Sequence, residues 1–223
     1  VGGRITWVSY VSNVVSHTYG FKPIGLDMAN GNMGVAVYLA ALYSYTKNPF
    51  YLRVVKATIK PILDILSKDW SKNEFLFRFG TGGTTGLGSL VYGLVKIYEY
   101  TNHKSYLNYA VKFFETITQK SIVSSVREDV VSGNAGLLLS LIKLNEFIDR
   151  QDLREQIQFL GEHLITTGFN KNKFSGWEYQ QGKCLLGFSH GSSGILYALS
   201  KYMPYSKNSN NLETQLGKIL EYE

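Results

Sequence analysis

His190 is the residue whose neighbours best prepare it for chemistry. It stands in Gly187-Phe188-Ser189-His190-Gly191-Ser192-Ser193-Gly194, and an apolar run from Ile195 to Tyr202 follows at once. An imidazole takes and gives protons near neutrality, which suits general acid–base work. A lone histidine at a helix start is also a common capping or packing residue, so its type alone decides nothing. Asp129 sits four residues before Gly133, in Glu128-Asp129-Val130-Val131-Ser132-Gly133. If the two segments lead neighbouring helices, the carboxylate meets the imidazole and orients the ring or raises its pKa. The plainer role for Asp129 is that of an acid favoured by a helix dipole.

Cys184 is the one cysteine and precedes His190 by six residues. It excludes an internal disulfide framework and fits a reducing compartment, which makes the cytoplasm the expected location. Its commonest role is that of an inert apolar filler. One cysteine and four scattered histidines form no zinc-ligand cluster, so no metal ligand is assigned. His17, His103 and His163 fall in loops or on amphipathic stretches and are read as solvated. Trp70 and Trp177 fall in linkers, where core packing competes with lining a cleft. No substrate-binding residue is singled out.

The elements that position His190 and Asp129 recur along the chain. Gly31-Asn32-Met33-Gly34, Gly86-Leu87-Gly88-Ser89, Gly133-Asn134-Ala135-Gly136 and Gly191-Ser192-Ser193-Gly194 each open a mostly apolar run, with Ser89 replacing the second glycine once. The runs predict helices buried on nearly every face. Between them lie amphipathic helices. Their stripes are Leu52, Val55, Ile59, Ile62, Leu63 and Leu66, with Pro61 kinking or breaking the run; then Tyr106, Leu107, Ala110, Val111, Phe114 and Ile117; then Leu153, Ile157, Leu160 and Leu164, opened by an Asp152/Glu155 capping pair. A fourth amphipathic run starts near Asn211. Linkers at roughly 68–82, 168–186 and 203–210 are read as surface loops. The β-prone stretch from Ile5 to Val11 is either a short strand or an incomplete outer segment.

Buried helices alternating with amphipathic ones predict an all-α fold, an α/α toroid with an inner ring wrapped by an outer one. An open solenoid of stacked hairpins is the alternative. In a toroid the inner helices run parallel and gather their N-termini at one pole. There, unpaired N–H groups would make a floor favouring anions such as thiolates or enolates. The competing reading is that the glycines simply let helices pack.

Composition bounds the reading. The chain has 223 residues, 44% hydrophobic and 18% charged, with a net charge of +6 and a pI of about 9.2. This fits a globular domain with one sizeable core. No apolar stretch approaches the roughly 18 residues needed to span a bilayer. The lysines are dispersed without a basic run, so a mildly basic solvated surface explains the charge better than nucleic acid does. An acidic peptide partner also suits it. The N-terminus carries no secretory signal pattern and no initiator Met.

Together, the His190 motif, Asp129-Val130-Val131-Ser132-Gly133-Asn134-Ala135-Gly136 and the two earlier glycine motifs resemble the lanthionine synthetase C-like cyclases. The similarity runs from about residue 24 to residue 203 and is nearest to the C-terminal cyclase domain of class II, LanM-type lanthipeptide synthetases. The resemblance implies a toroid of seven inner and seven outer helices, of which this chain, as a partial cyclase domain over 1–223, holds about four hairpins. It implies a cytoplasmic activity joining cysteine thiols of a precursor peptide to dehydroalanine or dehydrobutyrine, with the rest of the synthetase as a further partner. His190 would be the acid–base residue and Asp129 its carboxylate partner. The resemblance also implies zinc as the cofactor that activates the thiol. The family's zinc ligands lie in a Trp-Cys motif and a Cys-His-Gly motif downstream of the histidine. Neither motif is in this chain, and Cys184 lies upstream of His190. The fragment alone is therefore expected to be inactive, with an apolar flank exposed where a fifth hairpin would dock. Two other readings stand beside this one. The first is a non-catalytic toroid module that binds a peptide or protein. The second is a carbohydrate-active toroid enzyme, for which Glu128, Asp129 and Glu178 make a weak carboxylate set.

Overall fold

The computed structural model describes residues 3–13, 18–67, 79–169, 176–180 and 183–207. Trp70, His17 and the amphipathic run expected after Asn211 lie outside the described residues. The fold is an all-α domain of stacked helix pairs with two small β ribbons. The stretch read as β-prone supplies β1 (Val8–Asn13), which pairs antiparallel with β2 (Thr18–Pro23), Val8 opposite Pro23 and Asn13 opposite Thr18. Then follow α1 (Asn32–Thr46), α2 (Pro49–Leu63), α3 (Leu87–Thr101), α4 (Lys104–Phe114), the short α5 (Gln119–Val123), α6 (Asn134–Asn145) and α7 (Gln151–Phe169). A second ribbon, β3 (Glu178–Gln180) with β4 (Lys183–Cys184), precedes α8 (Ser192–Tyr202).

The four glycine-led helices α1, α3, α6 and α8 pack side by side in chain order, and the amphipathic helices α2, α4 and α7 each pack on the inner helix before them. Burial follows position in this array. The middle helices α3 and α6 bury Leu90, Val91, Leu94, Val95, Leu137, Leu138 and Leu141. Each is enclosed by two inner neighbours and an outer helix. The end helices α1 and α8 are apolar too, yet Tyr38, Tyr45 and Tyr197 on them are exposed. The expectation of helices buried on nearly every face holds for the middle pair and fails for the outer two, which among the described residues have an inner-helix neighbour on one flank only.

The amphipathic stripes fall where their spacing puts them. Val55, Ile59 and Ile62 of α2, Tyr106, Leu107, Ala110 and Phe114 of α4, and Leu153, Ile157, Leu160 and Leu164 of α7 are buried. Pro61 lies inside α2, which gives way after Leu63 to a 3-10 turn over Asp64–Ser67. The Asp152/Glu155 capping pair does not form. Asp152 lies inside the first turn and is gripped by Arg150 through Nε at 2.9 Å and Nη2 at 2.5 Å, while Glu155 accepts from Gln151 at 3.0 Å. The capping box that does exist is Thr118 with Ser121 at the start of α5.

Candidate functional site

A six-residue loop leads each inner helix, over residues 25–30, 80–85, 127–132 and 185–190. The glycine that follows each loop is the N-cap, in extended backbone at all four places. The first helical N–H of α1, α3, α6 and α8 donates to the carbonyl seven residues back: Asn32 to Gly25, Leu87 to Gly80, Asn134 to Arg127 and Ser192 to Leu185, at 2.8–3.2 Å. The next amide does the same in each repeat, and so does the third in α1, α3 and α6. This corrects the expectation of a pole lined with unpaired helix amides. The loop folds back over its own helix mouth and satisfies those donors, so they form no open anion cradle.

This geometry explains the glycines. A Cβ at Gly136 would collide with the Val130 carbonyl oxygen and the Gly83 amide nitrogen, because the preceding loop and the neighbouring repeat both cross its Cα. The packing role of the glycine pairs is therefore the one the structure supports.

The loops also bond to one another. Met28 and Ala29 donate their amides to Thr84 O, Thr84 and Thr85 to Val131 O, and Val131 to Ser189 O, at 3.0–3.2 Å. This backbone ladder joins the four helix mouths at one pole and sets the inner helices parallel.

The third and fourth loops thereby bring the two sequence candidates together. His190 Nδ1 lies 3.0 Å from Asp129 Oδ2. The Asp129 side chain is 3% exposed and the His190 side chain 41%. Asp129 Oδ1 accepts from the Ser132 amide at 2.6 Å, so both carboxylate oxygens are engaged. An ionised carboxylate only accepts, so with Asp129 ionised Nδ1 carries the proton and Nε2 is the nitrogen that Asp129 does not engage.

Three further residues adjoin the pair; the sequence did not single out Tyr179 or Arg127, and it offered Glu128 only as part of a weak carboxylate set. Tyr179 of β3 stands edge-on to His190, with ring centroids 5.5 Å apart. Arg127 stacks on Tyr179, its Cζ 4.0 Å from the ring centroid, and its Nη1 donates to the Tyr179 carbonyl. Glu128, beside Asp129, binds His163 of α7 at 3.1 Å and accepts from Asn134 Nδ2 at 2.8 Å. His163 is thus no solvated residue. It faces inward from the outer layer, with its side chain 15% exposed. His103, by contrast, is exposed at the start of α4.

Cys184 is exposed on β4, which overturns the buried filler role. Trp177 is buried and donates to Leu164 O at 2.9 Å, a core residue and no cleft wall. Glu178 lies on β3 beside Tyr179. Among the described residues no three His, Cys, Asp or Glu side chains could hold a metal ion, and no helix is long and apolar enough to cross a membrane.

Two cavities bear on the inner helices. One of about 410 Å³ lies between the inner helices, lined by Tyr92, Lys96, Ser140, Lys143 and Tyr197, with Thr84 and Val130 of the pole loops at one end. The other, about 880 Å³, lies between the first ribbon and α1 and is remote from the third and fourth loops. The Asp129–His190 pair lines neither, although Val130 next to Asp129 touches the first.

Residues 22–223 match the family model described as lanthionine synthetase C-like protein. The chain is 24% identical over 198 residues to the lacticin 481/lactococcin biosynthesis protein LcnDR2 of Lactococcus lactis subsp. lactis, an alignment covering 86% of this chain and 19% of that protein. The chain thus spans less than a fifth of that relative's length. Among solved structures it is similar to cellobiose 2-epimerase from Bacillus thermoamylovorans B4167, with a TM-score of 0.46 at 11% identity, over 86% of this chain and 60% of that one.

Proposed function

Because the chain belongs to the lanthionine synthetase C-like family, we propose that it is part of the cyclase domain of a class II, LanM-type lanthipeptide synthetase. Its three described helix pairs and the further inner helix α8 would be a segment of an α/α toroid, with the whole of 1–223 in one partial domain. The reaction is addition of a peptide cysteine thiol to a dehydroalanine or dehydrobutyrine of the same precursor peptide, in the cytoplasm. The full-length LcnDR2 relative is named for lacticin 481/lactococcin biosynthesis, which supports that choice of substrate class. The remainder of the synthetase and the precursor peptide are the partners.

The observation that carries this reading is the 3.0 Å contact between a buried carboxylate and a half-exposed imidazole. Thiol addition needs a proton moved from sulfur to carbon. The sulfur forms a bond to Cβ of the dehydro residue, the alkene electron pair shifts to the neighbouring carbonyl as an enolate, and Cα then takes a proton. His190 is the catalytic residue: its Nε2 accepts the thiol proton and returns it to Cα. Asp129 is a positioning residue, which fixes the tautomer and stabilises the imidazolium between the two transfers.

Zinc would supply thiolate activation in such a domain. The residues described here do not fit it: no three-ligand group exists among them, and Cys184 stands exposed on a two-residue strand. No step is therefore routed through a metal in this chain.

The test is thiol counting on a dehydrated precursor peptide incubated with the full-length protein that carries this chain. Ring closure leaves mass unchanged but removes thiols from reaction with N-ethylmaleimide. His190→Ala should leave the thiols alkylatable, at a rate roughly 10²-fold or more below the parent. Full ring formation by that variant would remove His190 from the mechanism, and no ring formation by the parent would favour a peptide-binding module.

A further inference from the structure

One hydrogen bond does not fix an imidazole plane. Asp129 holds His190 at Nδ1, a single contact about which the ring can still turn, and its side chain is 41% exposed. A second contact comes from Tyr179, whose ring meets the imidazole at an interplanar angle of 60°.

Tyr179 sits on a ribbon of three and two residues. Such a ribbon is marginal without outside support. Arg127 supplies that support twice, by stacking its guanidinium on the Tyr179 ring and by donating to the Tyr179 carbonyl. Arg127 is itself anchored: its carbonyl accepts from the Asn134 amide at 3.2 Å and from Ser125 Oγ at 2.9 Å. It is also the first residue of the loop whose third residue is Asp129. A single loop thus controls the imidazole from two sides, through a carboxylate at Nδ1 and through a cation-held aromatic ring at its edge.

We propose that Arg127 and Tyr179 are positioning residues, a clamp that sets the plane of His190 and the direction in which Nε2 faces the reacting peptide. The clamp's catalytic meaning rests on the acid–base role given to His190, whereas its geometric part does not. Tyr179 acts through its ring and its backbone, so the phenol hydroxyl is dispensable. Arg127 acts through a flat cation that stacks and donates together, which lysine reproduces only in part.

The experiment uses the full-length protein and two readouts. The first is the rate at which diethyl pyrocarbonate modifies His190, followed by peptide mass, which reports ring accessibility without any catalysis. The second is the pH profile of thioether formation. Tyr179→Phe keeps the ring and the backbone carbonyl and should recover most of what Tyr179→Ala loses in both. Tyr179→Ala and Arg127→Ala should raise the modification rate severalfold, lower ring formation about tenfold and change the shape of its pH profile, with Arg127→Lys between them and the parent. Arg127→Gln keeps a donor for the Tyr179 carbonyl without the cation and should still loosen the ring, which covers the case in which an alanine variant fails to fold. Unchanged His190 reactivity in folded Tyr179→Ala and Arg127→Gln would overturn the clamp. Loss of activity on His190→Ala but not on these variants would overturn its catalytic part alone. Ring formation unaffected by His190→Ala would instead sink the proposed function, leaving the reactivity measurement to decide the clamp.

Discussion

Asp27 and Asp129 hold the same place in their loops: each accepts, through Oδ1 at 2.6 Å, the amide three residues ahead, Asn30 in one case and Ser132 in the other. They differ in what the second oxygen meets, since only Asp129 has an imidazole before it. Asp129 thus keeps the turn bond that Asp27 makes and adds a contact to an imidazole. The two roles separate by substitution. Asp129→Asn keeps an oxygen for Ser132 but lacks the charge that stabilises an imidazolium, so ring formation should fall roughly 10²-fold or more with little change in melting temperature. Asp129→Ala should in addition lose about 2 kcal/mol of stability, because a buried charge-assisted hydrogen bond goes with it. Asp27→Asn should leave both quantities near the parent's values, as read by thiol alkylation and thermal unfolding.

The backbone ladder makes an equally sharp prediction at Gly136. The atoms a new methyl would meet there, the Val130 carbonyl and the Gly83 backbone, belong to two loops that are themselves bonded together, and neither gives way cheaply. Gly136→Ala should therefore cost about 2–3 kcal/mol in urea unfolding of the chain. Gly20→Ala, at a place where a Cβ meets nothing within 4 Å, should stay within about 0.5 kcal/mol.

What the sequence made legible follows from repetition. Four glycine pairs before apolar runs gave the inner helices, and their common register placed Asp129 and His190 at one pole. The contacts that escaped notice act across the repeats. Arg127 and Tyr179 lie 52 positions apart, as do no two members of one motif, and Glu128 and His163 lie 35 apart on different layers. Tyr179 was hidden further because its ribbon sits in a stretch rich in Gly, Asn and Lys that reads as a loop. The helix amides were misjudged for a related reason. A bond from each helix start to a carbonyl seven residues back belongs to no standard cap, so composition does not announce it.

The Glu128–His163 contact predicts a coupling between layers. His163 comes from the outer helix α7, Glu128 from the loop that carries Asp129, and Asn134 completes the carboxylate's shell from the first turn of α6. Glu128→Gln and His163→Ala should each destabilise the chain by about 1–2 kcal/mol. The double variant should show a coupling of about 1 kcal/mol, measured as a double-mutant cycle in urea unfolding. Strict additivity would mean that the two side chains do not hold the layers together.

The wall of the inner cavity carries a pH signature. Glu99 bridges two inner helices, with Lys96 of its own helix at 2.5 Å and Lys143 of α6 at 2.8 Å. Burial works against the Glu99 charge, but hydrogen bonds from Lys143 and Lys96 outweigh it and hold the carboxyl below its ordinary 4.5. Lys96 is raised above 10.5 by its hydrogen bond to Glu99, against burial. Lys143 is opposed first by burial and raised overall by Glu146 and Glu99. A depressed carboxyl gives its full stabilisation above the unfolded value and loses it as pH falls through the folded one. A raised lysine gives its share below the unfolded value and loses it as pH climbs through the folded one. The network therefore stabilises the chain between about pH 4.5 and pH 10.5 and fails on either side. At pH 7 Glu99→Gln should cost about 0.5–1 kcal/mol, since these charges are partly solvent-screened. That difference should shrink in high salt and vanish below the depressed pKa of Glu99. A penalty that persisted unchanged once the pH had fallen through that depressed value would show that Glu99 acts through packing and not through its charge.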